Sequence, residues 1–294
     1  MTDPKMLEQI ASGQGFIAAL DQSGGSTPTA LKGYGVEEDA YASEDEMFAA
    51  IHAMRTRIIT SPCFNGDKVI GAILFEKTMD GDADGEPVPA ALWARGVVPF
   101  LKVDKGLEDE ADGVKLMKPM PELDALCERA VKKGVFGTKM RSVIERASPT
   151  GIAAVVKQQF EVASQISAHG LMPIIEPEVS IKSSERAECD AILRDEILAA
   201  LDAMGDGQVM LKLTLPAEAD LFARLVDHPR VLRVVALSGG FSREEACRQL
   251  AQNRGMIASF SRALLSDLRH QMSDKEFDGA LGTAIDDIHT ASVS

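Results

Sequence analysis

The chain has few cysteines and few histidines, and basic side chains are its minority charge. Four cysteines occur in 294 residues, Cys63, Cys127, Cys189 and Cys247, and none forms a CxxC pair. A disulfide scaffold or a zinc ribbon needs paired spacing, so free thiols in a reducing compartment are expected. Of the five histidines, His52, His169, His228, His270 and His289, none lies at the C-terminal end of an apolar run described below; His169 and His228 precede two of the runs, at the opposite end. A histidine-ligated zinc centre is therefore not expected, whereas magnesium on carboxylates stays open on the residues alone. Lys and Arg total 31 against 45 Asp and Glu, a net charge of −14. That balance argues against a non-specific nucleic-acid binder, although a local cluster of cations can still attract an anionic ligand. No apolar run approaches the ~20 residues of a membrane span, and residues 1–9 are polar, without the apolar core of a signal peptide. A soluble cytoplasmic protein without membrane partners is expected. No Pro/Ser linker or low-complexity tract divides the chain, so residues 1–294 read as one domain.

What the sequence does have is a rhythm. Short runs rich in Val, Ile, Leu and Ala alternate with longer amphipathic stretches. Eight runs read as buried strands: Gly15–Asp21, Ile70–Glu76, Val98–Asp104, Phe136–Ser142, Met172–Val179, Val209–Leu215, Leu232–Ser238 and Met256–Arg262. Most of the intervals are long enough for the crossover helix that parallel strands require. Ser43, Ser242 and Ser273 each stand three residues before a glutamate and read as capping boxes. Ser148-Pro149 places a cap and a first-turn proline before a helix that ends at His169-Gly170. Eight such units without a composition break predict an α/β fold, a closed (β/α)8 barrel of the TIM type, with an open doubly wound sheet as the competing layout. The acidic tract Asp80–Gly85 lacks the ligand spacing of a calcium loop and reads as a solvated turn.

Strands buried in a barrel should be apolar, yet several of these carry charges in their second halves. Lys102 and Asp104 are two apart, as are Lys139 and Arg141, and Glu176 and Glu178. Residues two apart on a strand share a face, so Val103, Met140 and Pro177 between them face the helices. Lys212 sits between Leu211 and Leu213, and Asp21 closes the first run. In a parallel barrel these groups converge at the C-terminal mouth, where barrel enzymes keep their chemistry. Internal ion pairs are the alternative for any one pair. They are a poor account of so many charges on five strands, because burying charge is expensive and adds little stability.

Phosphate recognition is the next signal. The seventh run ends in Ser238-Gly239-Gly240 just before a capped helix, and the eighth in Ser259-Phe260-Ser261-Arg262. Small residues expose backbone N–H groups to an anion, barrels often bind phosphate after strands seven and eight, and Arg262 adds a fork of donors. The loop Ser23-Gly24-Gly25-Ser26, with Lys102 nearby, reads either as a second phosphate site or as a plain loop. A lysine flanked by leucines suits imine formation, since desolvation and a neighbouring cation such as Lys139 both favour the neutral amine. Glu176 and Glu178 could then supply acid–base function and Asp21 a separate base. A structural lysine paired with a glutamate is the alternative for Lys212.

The motifs IAALDQSGGS (17–26), FLKVDKG (100–106), FGTKMRS (136–142), PIIEPE (173–178), MLKLTLP (210–216), ALSGG (236–240) and SFSRAL (259–264) decide between these. Their set and order resemble class I fructose-bisphosphate aldolase, in its short bacterial branch. The resemblance implies a metal-independent carbon–carbon lyase without a cofactor, acting through a covalent lysine imine. It implies reversible cleavage of fructose 1,6-bisphosphate to dihydroxyacetone phosphate and glyceraldehyde 3-phosphate, in glycolysis and gluconeogenesis. Residue by residue, Lys212 matches the Schiff-base lysine, Glu176 the general acid and base, and Glu178 its neighbour near the lysine. Asp21 matches the aspartate acting at the C4 hydroxyl, and Lys139 the lysine beside the imine. Ser238, Gly239 and Arg262 match the C1-phosphate site, and Ser23, Ser26 and Lys102 the contacts to the other phosphate. Arg141, on the inner face with Lys139, is expected to join in substrate binding. Two departures stand out: Gln22 replaces the acidic residue of the vertebrate branch, and the chain ends Ala291-Ser292-Val293-Ser294 where that branch has a tyrosine. The C3 proton donor is thus left unassigned. The expected partners are small sugar phosphates and, as is common among soluble enzymes, further copies of the chain. An aldolase or isomerase for another sugar phosphate and a non-catalytic binding barrel are the rival readings.

Overall fold

The computed structural model describes residues 3–294. Eight strands form one parallel sheet in sequence order: β1 Phe16–Leu20, β2 Val69–Leu74, β3 Val98–Lys102, β4 Gly137–Ile144, β5 Met172–Val179, β6 Val209–Thr214, β7 Val231–Leu237 and β8 Met256–Ala258. The first and last strands meet through the Ala19 N–H, which donates to the Phe260 carbonyl at 3.1 Å. The chain is therefore a (β/α)8 barrel with helices between the strands.

All eight expected strands are present; Met172–Val179 has the expected bounds and the other seven have shifted ends. β4 runs two residues further than the motif suggested, and Val114–Lys115 pairs against its far end in antiparallel fashion. β1 and β3 stop at Leu20 and Lys102, so Asp21 and Asp104 sit just beyond the sheet. The eighth run divides: its strand ends at Ala258, and Arg262 opens the helix Arg262–Leu265. Pairing with the neighbouring strand stops before the run does, so the run alone overran these boundaries. The tract Asp80–Gly85 turns a two-stranded hairpin, Asp82–Ala83 against Glu86–Pro87, with Asp84 and Gly85 at positive φ as a tight hairpin demands.

Ser273 makes the full reciprocal box with Glu276, and Ser148 caps its helix through the Gly151 N–H. Ser43 and Ser242 also accept from the backbone three residues on. Their glutamates turn elsewhere, Glu46 to the Ala42 N–H and Glu245 to Arg248, so these are single caps.

Alternation along the strands builds two apolar layers. Outward residues such as Leu101, Val103, Met140, Ile175 and Leu213 pack against the helices. Inward residues Ile17, Ile73, Val98, Phe100, Phe136, Ile174, Met210, Val235 and Ile257 fill the lower barrel. The helix Pro4–Ser12 closes the bottom by adding Met6 and Ile10 to this inner layer. Full burial of each such aliphatic side chain contributes about 1.5–3 kcal/mol. Phe100 fills the centre, edge-on to Phe136 at 5.4 Å between ring centroids. It fits because residue 137 is glycine: a Cβ there would stand 2.2 Å from the Met172 carbonyl oxygen and 2.8 Å from the Phe100 ring. Above this floor the inward positions become charged, so the apolar floor excludes water beneath the polar mouth.

Gly137→Ala is expected to destabilise the fold by roughly 1–3 kcal/mol through overpacking against rigid backbone. Urea unfolding of the variant beside the wild type checks this, and an unchanged midpoint would contradict the packing described.

Candidate active site

The charged upper layer lines a cavity of about 800 Å³ at the C-terminal mouth of the barrel. All twelve residues singled out from the sequence border it. Its wall carries six cationic side chains against four carboxylates, in a chain of net −14. The mouth is thus formally positive, which suits an anionic ligand.

Sheet register sets the layer. Lys102 on β3 stands level with Lys139 on β4, and Arg141 on β4 level with Glu176 on β5. Lys139 is the hub. Its Nζ lies 2.8 Å from Asp21 Oδ2, 2.9 Å from Glu176 Oε2 and 3.8 Å from Asp104 Oδ2, and its side chain is only 3% exposed. Burial works against its charge, but Asp21, Glu176 and Asp104 outweigh that and hold the ammonium well above the usual lysine range. Burial likewise opposes the anion of Asp21. Lys139, then Lys212, overcome this and keep the carboxyl well below the usual carboxylate range.

Lys212, in the middle of β6, is buried with its Nζ 3.1 Å from Glu176 Oε1. Glu176 therefore bridges two lysines. Its backbone is anchored from outside: Gln159, buried on helix Pro149–Ala168, accepts from the Glu176 N–H at 3.0 Å and donates to Ser142 Oγ at 3.1 Å. Glu178, expected beside the lysine, instead pairs with Arg141, its Oε2 2.5 Å from Arg141 Nε. The strand pleat explains this, because Glu178 lies one inward step higher than Glu176, toward the rim where Arg141 is half-exposed. Lys102 pairs with Asp104 at 2.7 Å and donates to its carbonyl at 2.8 Å.

The two anion-binding candidates lie at the rim. Ser238 is buried at the end of β7, followed by Gly239 and Gly240 at φ of 61° and 122°, a conformation that favours glycine. A Cβ on Gly240 would lie 3.3 Å from Arg262 Nη2, so the guanidinium rests against this loop. The loops after β7 and β8 thereby form one cradle. Across the mouth, the Ser26 hydroxyl accepts from the Ser23 N–H at 3.0 Å and donates to the Ser23 carbonyl at 2.9 Å. That hydroxyl is spent on the loop itself, and a bound anion would compete with it.

Asp104 and Ser261 stand in the sequence motifs without a part assigned to them, and Arg55 and Gln159 stand outside the motifs altogether. A signal existed for two of these. Arg55 falls in the stripe Ile51, Met54, Ile58, Ile59, and Gln159 in the stripe Ile152, Val155, Ala163, Ile166, both buried helix faces. A polar residue on such a face needs a buried partner. Arg55 donates to Thr78 Oγ1 at 2.8 Å and to the Gln22 carbonyl at 2.5 Å, and burial pushes its guanidinium down to about 10 against the pull of Asp21.

An amine beside a carboxylate, next to a second cation held charged, with anion cradles on either side, can add to a carbonyl and shuttle protons. Among the described residues, no three His, Cys, Asp or Glu side chains group as a set of metal ligands.

Lys139→Met should cost about 3–5 kcal/mol at neutral pH, because three buried carboxylates lose their shared cation. The gap from wild type should narrow as pH falls toward 4. The variant's crowded carboxylates then take up protons in the native state, which raises its stability on acidification, while wild-type Asp21, with its lowered pKa, loses stability below its unfolded value. Denaturant unfolding across that range checks both the size and the sign.

Comparison with known proteins follows the same line. The family model described as "Fructose-bisphosphate aldolase class-I" matches residues 5–221, a span that includes β1 to β6. Among solved structures, fructose-bisphosphate aldolase from Plasmodium falciparum, crystallised with TRAP and a small-molecule inhibitor, superposes with a TM-score of 0.79 at 22% identity. That match covers 98% of this chain and 93% of the other and extends the likeness in fold through β8. A flavocytochrome b2 mutant is more remote, with a TM-score of 0.48 at 8% identity, covering 95% of this chain and 63% of that one. With a lysine buried on β6, a glutamate bridging it to a second lysine, and a family match over most of the barrel, the chain belongs to the class I fructose-bisphosphate aldolases.

Proposed function

We propose that the protein cleaves fructose 1,6-bisphosphate reversibly to dihydroxyacetone phosphate and glyceraldehyde 3-phosphate through an imine on Lys212. The observation that carries this reading is the Lys212–Glu176–Lys139 arrangement, with separations of 3.1 and 2.9 Å, in a barrel mouth floored by apolar side chains.

In this reading the Lys212 amine adds to the ketone carbon C2. Glu176, within hydrogen-bond reach, accepts the proton that the Lys212 nitrogen gives up as it adds and delivers it to the departing hydroxyl of the carbinolamine, and water leaves. The protonated imine is the electron sink: when the C3–C4 bond breaks, its electron pair enters the imine and leaves an enamine. Asp21 accepts the C4 hydroxyl proton. A carboxylate held so far below its usual range is a weak base, but the hydroxyl acidifies as it becomes an aldehyde, so a weak base suffices late in cleavage. Lys139 keeps Asp21 anionic and in place. Since the imine supplies the sink, no step calls for a metal or a further cofactor.

Ser238, Gly239 and Arg262 would hold the C1 phosphate, and Ser23, Ser26 and Lys102 the other, with Arg141 and Glu178 at the rim between them. Fixing both ends of the substrate brings C2 to the amine, which lowers the barrier chiefly through orientation. Such an enzyme serves glycolysis and gluconeogenesis in the cytoplasm. Among the described residues no helix is long and apolar enough to cross a membrane.

Borohydride reduction in the presence of dihydroxyacetone phosphate should give a stable adduct that maps to Lys212. An adduct on Lys139 or Lys102 would keep the chemistry and reassign the roles, and no adduct in folded, active protein would reject the imine. Lys212→Met should abolish turnover and leave the circular dichroism spectrum intact. Arg262→Ala should raise KM for the bisphosphate by roughly 10–100-fold, the loss of one or two charge-assisted hydrogen bonds. Steady-state kinetics check this, and an unchanged KM would remove Arg262 from the phosphate site.

A further inference from the structure

Arg55 is fully buried, and every hydrogen bond it makes goes to an uncharged acceptor: the Gln22 carbonyl at 2.5 Å, Gln22 Oε1 at 3.1 Å and Thr78 Oγ1 at 2.8 Å. Among the described residues no carboxylate lies within ion-pair distance of this guanidinium, only the longer-range pull of Asp21, and such burial is costly; helix Glu44–Thr60 delivers it to Thr78 and to the residue after Asp21. Its fork fixes which way the Gln22 amide points, because only the carbonyl oxygen of the amide can accept from it. The amide nitrogen is thereby directed to Ser261 Oγ at 2.5 Å and to the Ala19 carbonyl at 3.2 Å.

The result is a directed relay, Arg55 to Gln22 to Ser261, across the seam where β1 meets β8. Gln22 adjoins the Ser23–Ser26 loop, and Ser261 adjoins Arg262. One amide therefore ties together the loops that carry the two anion-binding candidates, and both Gln22 and Ser261 border the cavity. Among the described residues the Ala19–Phe260 bond is the backbone hydrogen bond that joins β1 to the end of the β8 run, and the Gln22–Ser261 contact adds a side-chain tie beside it.

We propose that Gln22, oriented by Arg55, is a positioning residue that sets the distance between the two phosphate cradles and so selects ligands bearing a phosphate at each end over ligands bearing one. This rests on the reading of two phosphate sites given above. A group touching only one phosphate would alter both ligand classes in proportion. A group that sets the spacing acts on the ligand that must satisfy both sites at once.

The test is calorimetric titration of the full-length protein with hexitol 1,6-bisphosphate and hexitol 1-phosphate, which have no carbonyl and cannot form an imine. The variant is Gln22→Met, similar in volume and unable to hydrogen bond. The expected result is a fall of about tenfold or more in affinity for the bisphosphate and less than about threefold for the monophosphate. Arg55→Lys, which keeps the charge and loses the fork, should shift the ratio in the same direction. An unchanged ratio in Gln22→Met overturns the proposal, as does an equal fall for both hexitols or a wild type that binds them equally well. Borohydride trapping on Lys212 judges the aldolase reading separately, because the hexitol ratio does not depend on an imine.

Discussion

The charged layer at the mouth of the barrel depends on one ammonium group. Lys139 is buried between Asp21 and Glu176, with Asp104 slightly further away. Without that charge, three carboxylates from three parts of the chain would repel one another in a poorly solvated space, and the mouth would open or take up protons. With it, Asp21 stays ionised, and Glu176 is held where its other oxygen reaches Lys212. A buried ion cluster of this kind stabilises little by itself, since the desolvation cost offsets most of the attraction. Its value is in arrangement: a neutral core of the same volume would hold no amines and carboxylates at fixed separations.

The rest of the molecule supports that layer from below and from outside. Below, Phe100 fits against Gly137, and helix Pro4–Ser12 seals the barrel with Met6 and Ile10, which keeps water from entering beneath the charges. Outside, residues on helix faces reach in between the strands. Gln159 holds the backbone of Glu176, and Arg55 holds the residue after Asp21. Each is a polar side chain in an otherwise apolar stripe, placed so that the strand end it touches cannot drift. The same loops that complete the barrel's eight units provide the small, positive-φ residues of the rim, Gly24, Gly239 and Gly240.

Much of this was legible in the sequence. Eight apolar runs with helical intervals specified the barrel, because strand and helix periods are local properties of a chain. The charges two apart in three of those runs, with Lys212 alone in a fourth, pointed to an inward-facing polar layer, because strand pleating is also local. Family motifs added roles to positions already conspicuous for being charged where they should be apolar. The strand ends were less well read: Asp21, Asp104 and Arg262 all lie outside the strands that the apolar pattern assigned them to, since where a ladder stops is set by pairing with the neighbouring strand and not by the run itself.

Which residues face the barrel interior, and therefore that Lys212, Glu176, Lys139 and Asp21 share one cavity, follows from their positions along each strand. How they pair within it follows from the packing of whole elements. That Glu178 takes Arg141 and leaves Lys212 to Glu176, that Lys139 gathers three carboxylates, and that Arg55 governs Gln22 are consequences of register between strands and of helices crossing over them. Pairing distances of 3 Å are set by long-range packing among elements scores of residues apart, and no local period of the chain encodes them.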